Sequence, residues 1–191
     1  LISRLQRVVQ GINYNFEFII VDDGSKDGTL QKLLALQSTD HRIKLIQLSR
    51  NWGQQNAYNA GIDHATGDAV VLMDGDLEDP PEIIPEMIEK WREGYEVVYC
   101  QRKKRKGESR FKLITAKWFY KVLSYLSDVD IPVNTGDFRL MDRKVVDVLK
   151  KMPEKDRFIR GMVAWVGFRQ FALQYEREKR YAGESKYPFI K

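Results

Sequence analysis

Apolar residues along this chain follow two rhythms. Short runs at Phe16–Val21, Ile43–Leu48, Asp68–Met73 and Glu96–Cys100 are bounded by polar turns, which predicts strands in a buried sheet. Between them, apolar positions recur at helical spacing. Leu30, Leu33, Leu34 and Leu36 mark a helix from Thr29 to about Gln37, and Ala57, Ala60, Gly61 and Ala65 give a second helix a small-residue face suited to close packing on a sheet. Asp79-Pro80-Pro81-Glu82 predicts a third helix start, with Asp79 as N-cap, proline in the first turn and Glu82 completing a capping box. Ile83, Ile84, Met87, Ile88 and Trp91 form its stripe, and Gly94 its stop. An amphipathic helix over Leu1, Ile2, Leu5, Val8 and Val9 precedes them all.

The alternation of strand and helix predicts an α/β layer with a mostly parallel sheet, in which ligands bind beyond the carboxyl ends of the strands. Further on, Phe111, Ile114, Trp118, Phe119, Val122, Leu123 and Leu126 mark a long amphipathic helix. Val145, Val146 and Leu149 mark a shorter helix, and Phe171, Leu173 and Tyr175 alternate as a late strand.

Composition sharpens this picture through charge. The 191 residues carry 32 Lys+Arg and 27 Asp+Glu, a net +5, but residues 1–98 hold 9 basic and 16 acidic side chains while residues 99–191 hold 23 and 11. An acidic half is followed by a basic half, so the two halves are expected to meet different partners. The hydrophobic fraction of 43% excludes disordered and collagenous classes, and the lone Cys100 excludes an internal disulfide and points to a reducing compartment. No apolar run reaches the roughly 18 residues that a bilayer span needs.

Two acidic clusters fall at predicted strand ends, Asp22-Asp23 and Asp74-Gly75-Asp76. Carboxylates gathered at one sheet edge repel unless a cation or hydrogen-bond donors compensate, and oxygen ligands of this kind suit Mg²⁺ or Mn²⁺. His41 and His64 have no partners at metal-ligand spacing. In the basic half, seven Lys and Arg lie between Arg102 and Lys112 against the single Glu108. No recognition helix, zinc knuckle or RNA-binding sheet accompanies this run, so nucleic acid is not expected, whereas an anionic membrane surface is, with Trp118, Phe119 and Tyr120 at the interface.

These motifs carry a resemblance. Val21-Asp22-Asp23-Gly24-Ser25 with Asp27-Gly28-Thr29, Ser49-Arg50-Asn51-Trp52-Gly53, and Met73-Asp74-Gly75-Asp76-Leu77-Glu78-Asp79-Pro80-Pro81-Glu82 resemble the family 2 glycosyltransferases of GT-A fold, within them the polyprenyl-phosphate group. Gly136 to Arg143, Arg157 to Gly161, Trp165 to Phe168 and Ala182 to Tyr187 extend the likeness over nearly the whole chain. The resemblance implies a Rossmann-like three-layer fold with a mostly parallel central sheet. It implies a catalytic domain over 1–175, with a nucleotide and metal half (1–98), an acceptor half (99–175) and a basic extension over 176–191. It also leads us to expect a longer polypeptide, with a first strand before residue 1, without which donor binding would be impaired, and transmembrane helices after Lys191, which are candidate assembly elements for a homo-oligomer.

The implied reaction moves a sugar, glucose or a related hexose, from a uridine-type nucleoside diphosphate to a polyprenyl phosphate at the cytoplasmic membrane face. Asp74, Asp76 and Glu78 would lie at the metal, Glu78 replacing the usual Gln; Asp22, Asp23, Arg50 and Asp74 would meet the donor. Asp22 and Asp23 are not distinguished at this level. Arg102, Lys112, Arg139, Arg180 and Lys186 would bind the acceptor phosphate, and Asp76, Asp137 and Arg139 would be the catalytic set. For Asp142 and Arg143 we expect helix capping and a surface pair. Two rivals make weaker accounts. A saccharide-acceptor transferase usually carries a Gln-x-x-Arg-Trp motif, which is absent here, and a phosphoacceptor signalling domain leaves Asp76 and the basic half unexplained.

Overall fold

The computed structural model describes residues 1–103, 135–154 and 157–176. The long helix expected over 111–126, the 182–187 motif, and the candidates Lys112, Arg180 and Lys186 lie outside the described residues. Helix α1 (Ile2–Val9) precedes β1 (Phe18–Asp22), α2 (Thr29–Thr39) and β2 (Ile43–Gln47). α3 (Gln54–His64) leads to β3 (Ala69–Leu72), and a 3-10 turn at Pro81–Ile83 runs into α4 (Ile84–Arg92) and β4 (Val97–Arg102). β5 (Thr135–Asp142), α5 (Arg143–Lys151), α6 (Ile159–Trp165) and β6 (Gln170–Tyr175) follow.

The strands form two sheets. β1 and β2 pair in parallel, Phe18 opposite Ile43 and Asp22 opposite Gln47. The other sheet has the order β3-β5-β4-β6, in which β6 runs parallel to β4 and β5 runs antiparallel to β3 and β4. β5 is the one strand that reverses among the described residues, and the sequence pattern does not predict it. Buried along all but its last residue, it brings its amino end to the same edge as the carboxyl ends of β3, β4 and β6. Ile19, Ile20 and Val21 in β1 and Val70 and Val71 in β3 stay only partly buried, because among the described residues each of these strands pairs on one side. Elsewhere the core is dense: Val97, Met141, Val145 and Val146 are fully buried where α5 packs on β4 and β5, and Val98 and Phe138 are fully buried in a second cluster with Met87 of α4.

Glu17 ties the two sheets together. It accepts from the Thr66 amide at 2.7 Å, the Thr66 hydroxyl at 2.8 Å and the Gly67 amide at 3.1 Å, just before β3, and pairs with Lys44 of β2 at 2.5 Å. Burial works to raise its pKa, but the bonds from Lys44, Thr66 and Gly67 prevail and hold it at about 2. The folded pKa lies below the unfolded one, so the stabilisation is present above about pH 4.5 and fades as pH falls toward 2. We expect Glu17→Gln to cost about 1–2 kcal/mol at pH 7, discounted for solvent screening, and the cost to shrink as acid is added. Urea unfolding of both proteins at pH 7 and pH 3 checks this, and a pH-independent difference would contradict it.

The capping box expected at residues 79–82 does not form. Pro80 is the N-cap residue of the 3-10 turn, Asp79 is withdrawn into the protein at 2% exposure, and Glu82 instead meets Arg4 of α1 at 2.9 and 2.5 Å. These long-range partners outbid a local cap. Asp142 does cap α5, accepting from the Lys144 amide at 3.0 Å, and also accepts from the Trp91 indole at 2.7 Å. Arg143 pairs with Asp147 at 3.7 Å and donates to the Gly67 carbonyl at 2.8 Å. Among the described residues no helix is long and apolar enough to cross a membrane.

Candidate active site

The first acidic cluster sits where β1 ends. Asp23 spends both oxygens on one loop, accepting from the Trp52 amide at 2.7 Å and the Gly53 amide at 3.0 Å. Asp22 is 3% exposed; its Oδ1 accepts from the Ser25 amide at 3.2 Å and its Oδ2 is buried without a hydrogen-bond partner. A buried orphan oxygen at a strand end is unusual in a folded protein and marks a place where a ligand group can complete the set. Arg50 lies over the Trp52 ring at 3.8 Å, forming a stacked pair whose indole is 48% exposed.

Gly24 locks the two loops together. Its φ is +70°, and a Cβ there would fall 2.5 Å from the Arg50 carbonyl carbon and 2.7 Å from the Asn51 nitrogen. Gly24→Ala must therefore strain the turn and push the 50–53 loop away, with an expected stability loss of about 1–3 kcal/mol. Chemical denaturation measures it, and a loss below about 0.5 kcal/mol would show that the two loops are placed independently.

Helix α3 carries this first cluster to the second. It begins directly after the loop that Asp23 holds, sets Gly61 against β1 so that a Cβ there would meet the Val21 side chain at 3.5 Å, and projects Gln54 and Tyr58 onto Asp74 beyond β3. Asp74 Oδ1 accepts from Gln54 Nε2 at 2.6 Å and from the Tyr58 hydroxyl. Burial, then the charge and hydrogen bond of Asp74, push the Tyr58 pKa upward, so the phenol stays a donor. Asp76 Oδ1 accepts from the Glu78 amide at 3.0 Å across Leu77, a non-glycine residue held at φ 62°. Left-handed geometry costs a leucine about 1–2 kcal/mol, and such strain concentrates at sites where a turn must aim its side chains.

The basic half enters through β5. Leu72 pairs with Arg139 at the last register position of β3 and β5, and Tyr58, which donates to Asp74, also feels the charge of Asp137. Asp137, 7% exposed, accepts from Arg160 of α6 at 3.1 Å through Oδ2, while Oδ1 lies 3.9 Å from Arg139 Nη2 without a hydrogen bond. Arg139 is 3% exposed and donates to the carbonyls of Asp137 at 3.2 Å and Gly136 at 3.0 Å. Burial lowers its pKa to about 10 against the opposing pull of Asp137, so it remains charged at neutral pH. Arg139 faces inward onto the β5 backbone, and the partly exposed guanidinium beside Asp137 belongs to Arg160.

Arg102 ends β4 next to the same edge. Its Nε donates to the Tyr175 hydroxyl at 3.3 Å, and its Nη2 would lie 3.0 Å from a Cβ on Gly136. The site thus brings together Asp74, Asp76, Arg102, Asp137 and Arg139, joined through α3 to Asp22, Asp23 and Arg50. Gln54, Tyr58, Arg160 and Tyr175 are participants for which sequence spacing assigns no role.

Among the described residues no three His, Cys, Asp or Glu side chains form a ready metal-binding group, so Asp74, Asp76 and Glu78 do not converge as a three-carboxylate cage. The hard oxygen donors of Asp74 and Asp76 nevertheless fit a divalent cation that takes its remaining ligands from a diphosphate.

The family model described as Glycosyl transferase family 2 matches residues 1–149. A Bacillus subtilis protein described as "Uncharacterized glycosyltransferase YkcC" is 55% identical over 189 residues, 99% of this chain and 58% of its own length. The "Prophage bactoprenol glucosyl transferase homolog" of Escherichia coli K12 is 43% identical over 175 residues, 92% of this chain and 57% of its own length. The chain therefore spans less than two thirds of either relative. The solved mannosyltransferase PcManGT of Pyrobaculum calidifontis, in complex with GDP-Man and Mn2+, superposes with a TM-score of 0.56 at 21% identity, covering 90% of this chain and 51% of that one, which shows a shared fold.

Proposed function

Because the chain belongs to glycosyl transferase family 2, we propose that it transfers a hexose, glucose or a close relative, from a uridine-type nucleoside diphosphate sugar to a polyprenyl phosphate at the cytoplasmic membrane face. One observation carries this reading: the antiparallel β5 brings Asp137, with Arg160 of α6 held on it at 3.1 Å, toward the edge beyond which Asp74 and Asp76 lie, and Arg102 ends the neighbouring β4 there. A bactoprenol glucosyl transferase homolog at 43% identity supports the lipid acceptor, and the basic run from Arg102 to Lys112 supports an anionic surface nearby.

In the proposed reaction an acceptor phosphate oxygen attacks the anomeric carbon as the bond to the donor diphosphate oxygen breaks, inverting the configuration. The acceptor is already ionised near neutral pH, so positioning and charge neutralisation matter more than a strong base. Asp22 offers its buried Oδ2 to the ribose or base, since Asp23 is committed to the Trp52 and Gly53 amides. Asp74 and Asp76 would hold Mg²⁺ or Mn²⁺, which when bound would supply charge neutralisation for the leaving diphosphate. Tyr58 and Gln54 fix the Asp74 carboxylate, Arg102 and Arg160 receive the acceptor phosphate, and Asp137 orients Arg160.

Thermal melting of the full-length protein with UDP-glucose and either cation tests the donor half. Stabilisation that requires both the nucleotide sugar and the cation is expected, and equal stabilisation by ATP would contradict it.

A further inference from the structure

We propose that Tyr175 is a positioning residue, a strut that holds the Arg102 guanidinium at a fixed place relative to the acidic loop and so sets the acceptor phosphate against the donor. This inference rests on the reading of Arg102 as an acceptor-phosphate group. Tyr175 and Arg102 are register partners at the ends of β6 and β4. The Tyr175 hydroxyl, on a side chain 3% exposed, donates to Asp79 Oδ1 and accepts from Arg102 Nε at 3.3 Å. A phenol has one proton to give, and Asp79 takes it. The lone pairs are thereby turned to Arg102 Nε, which leaves the edge of the guanidinium fork that carries its two terminal nitrogens for a ligand.

The other end of the strut is equally fixed. Asp79 is 2% exposed and lies three residues beyond Asp76, immediately before the Pro80-Pro81 turn. The Tyr175 ring is held by Phe138 of β5, 6.2 Å away and edge-on at 80°. Gly136 supplies the remaining wall: a Cβ there would stand 3.0 Å from Arg102 Nη2, so a larger residue would displace the guanidinium by a few tenths of an ångström.

A side chain this buried, spanning two strand ends and a loop, can be a structural plug alone. The strut makes a different prediction, because its effect must pass through Arg102. In the full-length protein, with undecaprenyl phosphate and UDP-glucose varied in turn, Tyr175→Phe should raise the acceptor KM by about tenfold, the weight of one hydrogen bond to a charged group. The donor KM should stay within about twofold. Gly136→Ala reaches the same guanidinium from the opposite side, by a clash with the mobile end of its side chain, and should produce the same split without touching Tyr175 or Asp79.

Combined with Arg102→Lys, which removes the fork, neither substitution should add to the acceptor defect. Wild-type transfer with an unchanged acceptor KM in both variants, or additive effects in the Arg102→Lys background, overturns the strut. Absence of wild-type transfer to any polyprenyl phosphate overturns the acceptor reading and the strut with it, which separates the two failures.

Discussion

Asp76→Ala is expected to reduce sugar transfer by about a thousandfold or more while leaving the protein folded. That magnitude corresponds to roughly 4 kcal/mol of transition-state charge stabilisation, within the several kcal/mol that neutralising a leaving diphosphate provides. The side chain lies four residues beyond the end of β3, in a turn in which Leu77 takes φ 62°, and accepts from the Glu78 amide at 3.0 Å. Loss of its bond to the Glu78 amide costs the turn only about 1 kcal/mol, so the melting temperature should fall by a few degrees at most. The informative comparison is nucleotide-sugar binding with and without Mn²⁺. In the wild type the cation should tighten binding, and in Asp76→Ala that dependence should disappear. Retention of activity with intact cation dependence would remove Asp76 from the site.

The second large effect is expected at Asp137, where function and stability fall together. Asp137 is buried against Arg160 at 3.1 Å and Arg139 at 3.9 Å. Asp137→Ala strands two guanidinium groups, one of them 3% exposed. Breaking a fully buried pair costs about 3–5 kcal/mol; because Arg160 is 22% exposed, about 2–3 kcal/mol is the better expectation. Transfer should drop by about a hundredfold or more, since Arg160 loses the partner that aims it. Asp137→Asn keeps an oxygen for Arg160 and should recover much of the stability but little of the rate. Urea unfolding combined with steady-state kinetics separates the two, and an Asp137→Ala protein as stable and active as wild type would contradict the cluster.

The strands β1 to β4 and helices α1 to α5 were readable because each presents an uninterrupted apolar run or stripe closed by polar turns, and the acidic clusters announced themselves by following such runs. β5 was not readable. Its run is broken by Asp137 and Arg139, residues that a pattern reading assigns to a surface, and their burial becomes tolerable only through Arg160 and the carbonyls of residues 136 and 137. Asp79 misled for a similar reason. Locally it has every mark of a helix cap, but its partner Tyr175 is 96 residues away, and no local rule weighs a distant hydroxyl against a nearby amide.

Tyr58 and Gln54 were hidden in plain periodicity. The helix reads as a small-residue face for a sheet, and nothing in its spacing says that its first turns reach across to Asp74. Arg160 lies in a short helix whose orientation depends on β5, so its role waited on an element the pattern did not predict. The opposed charges of the two halves were legible from the outset. What the fold adds is the reversal of β5, whose Asp137 holds Arg160 of the second half near the carboxylate edge of the first, beside Arg102 at the end of β4.

The most direct test of that account is transfer of radiolabelled glucose from UDP-glucose to undecaprenyl phosphate by the full-length protein. The account predicts a lipid-extractable product that carries one glucose of inverted anomeric configuration, forms only with Mg²⁺ or Mn²⁺, and is lost in Asp76→Ala. Label appearing instead on a saccharide acceptor, or a lipid product of retained configuration, would contradict it.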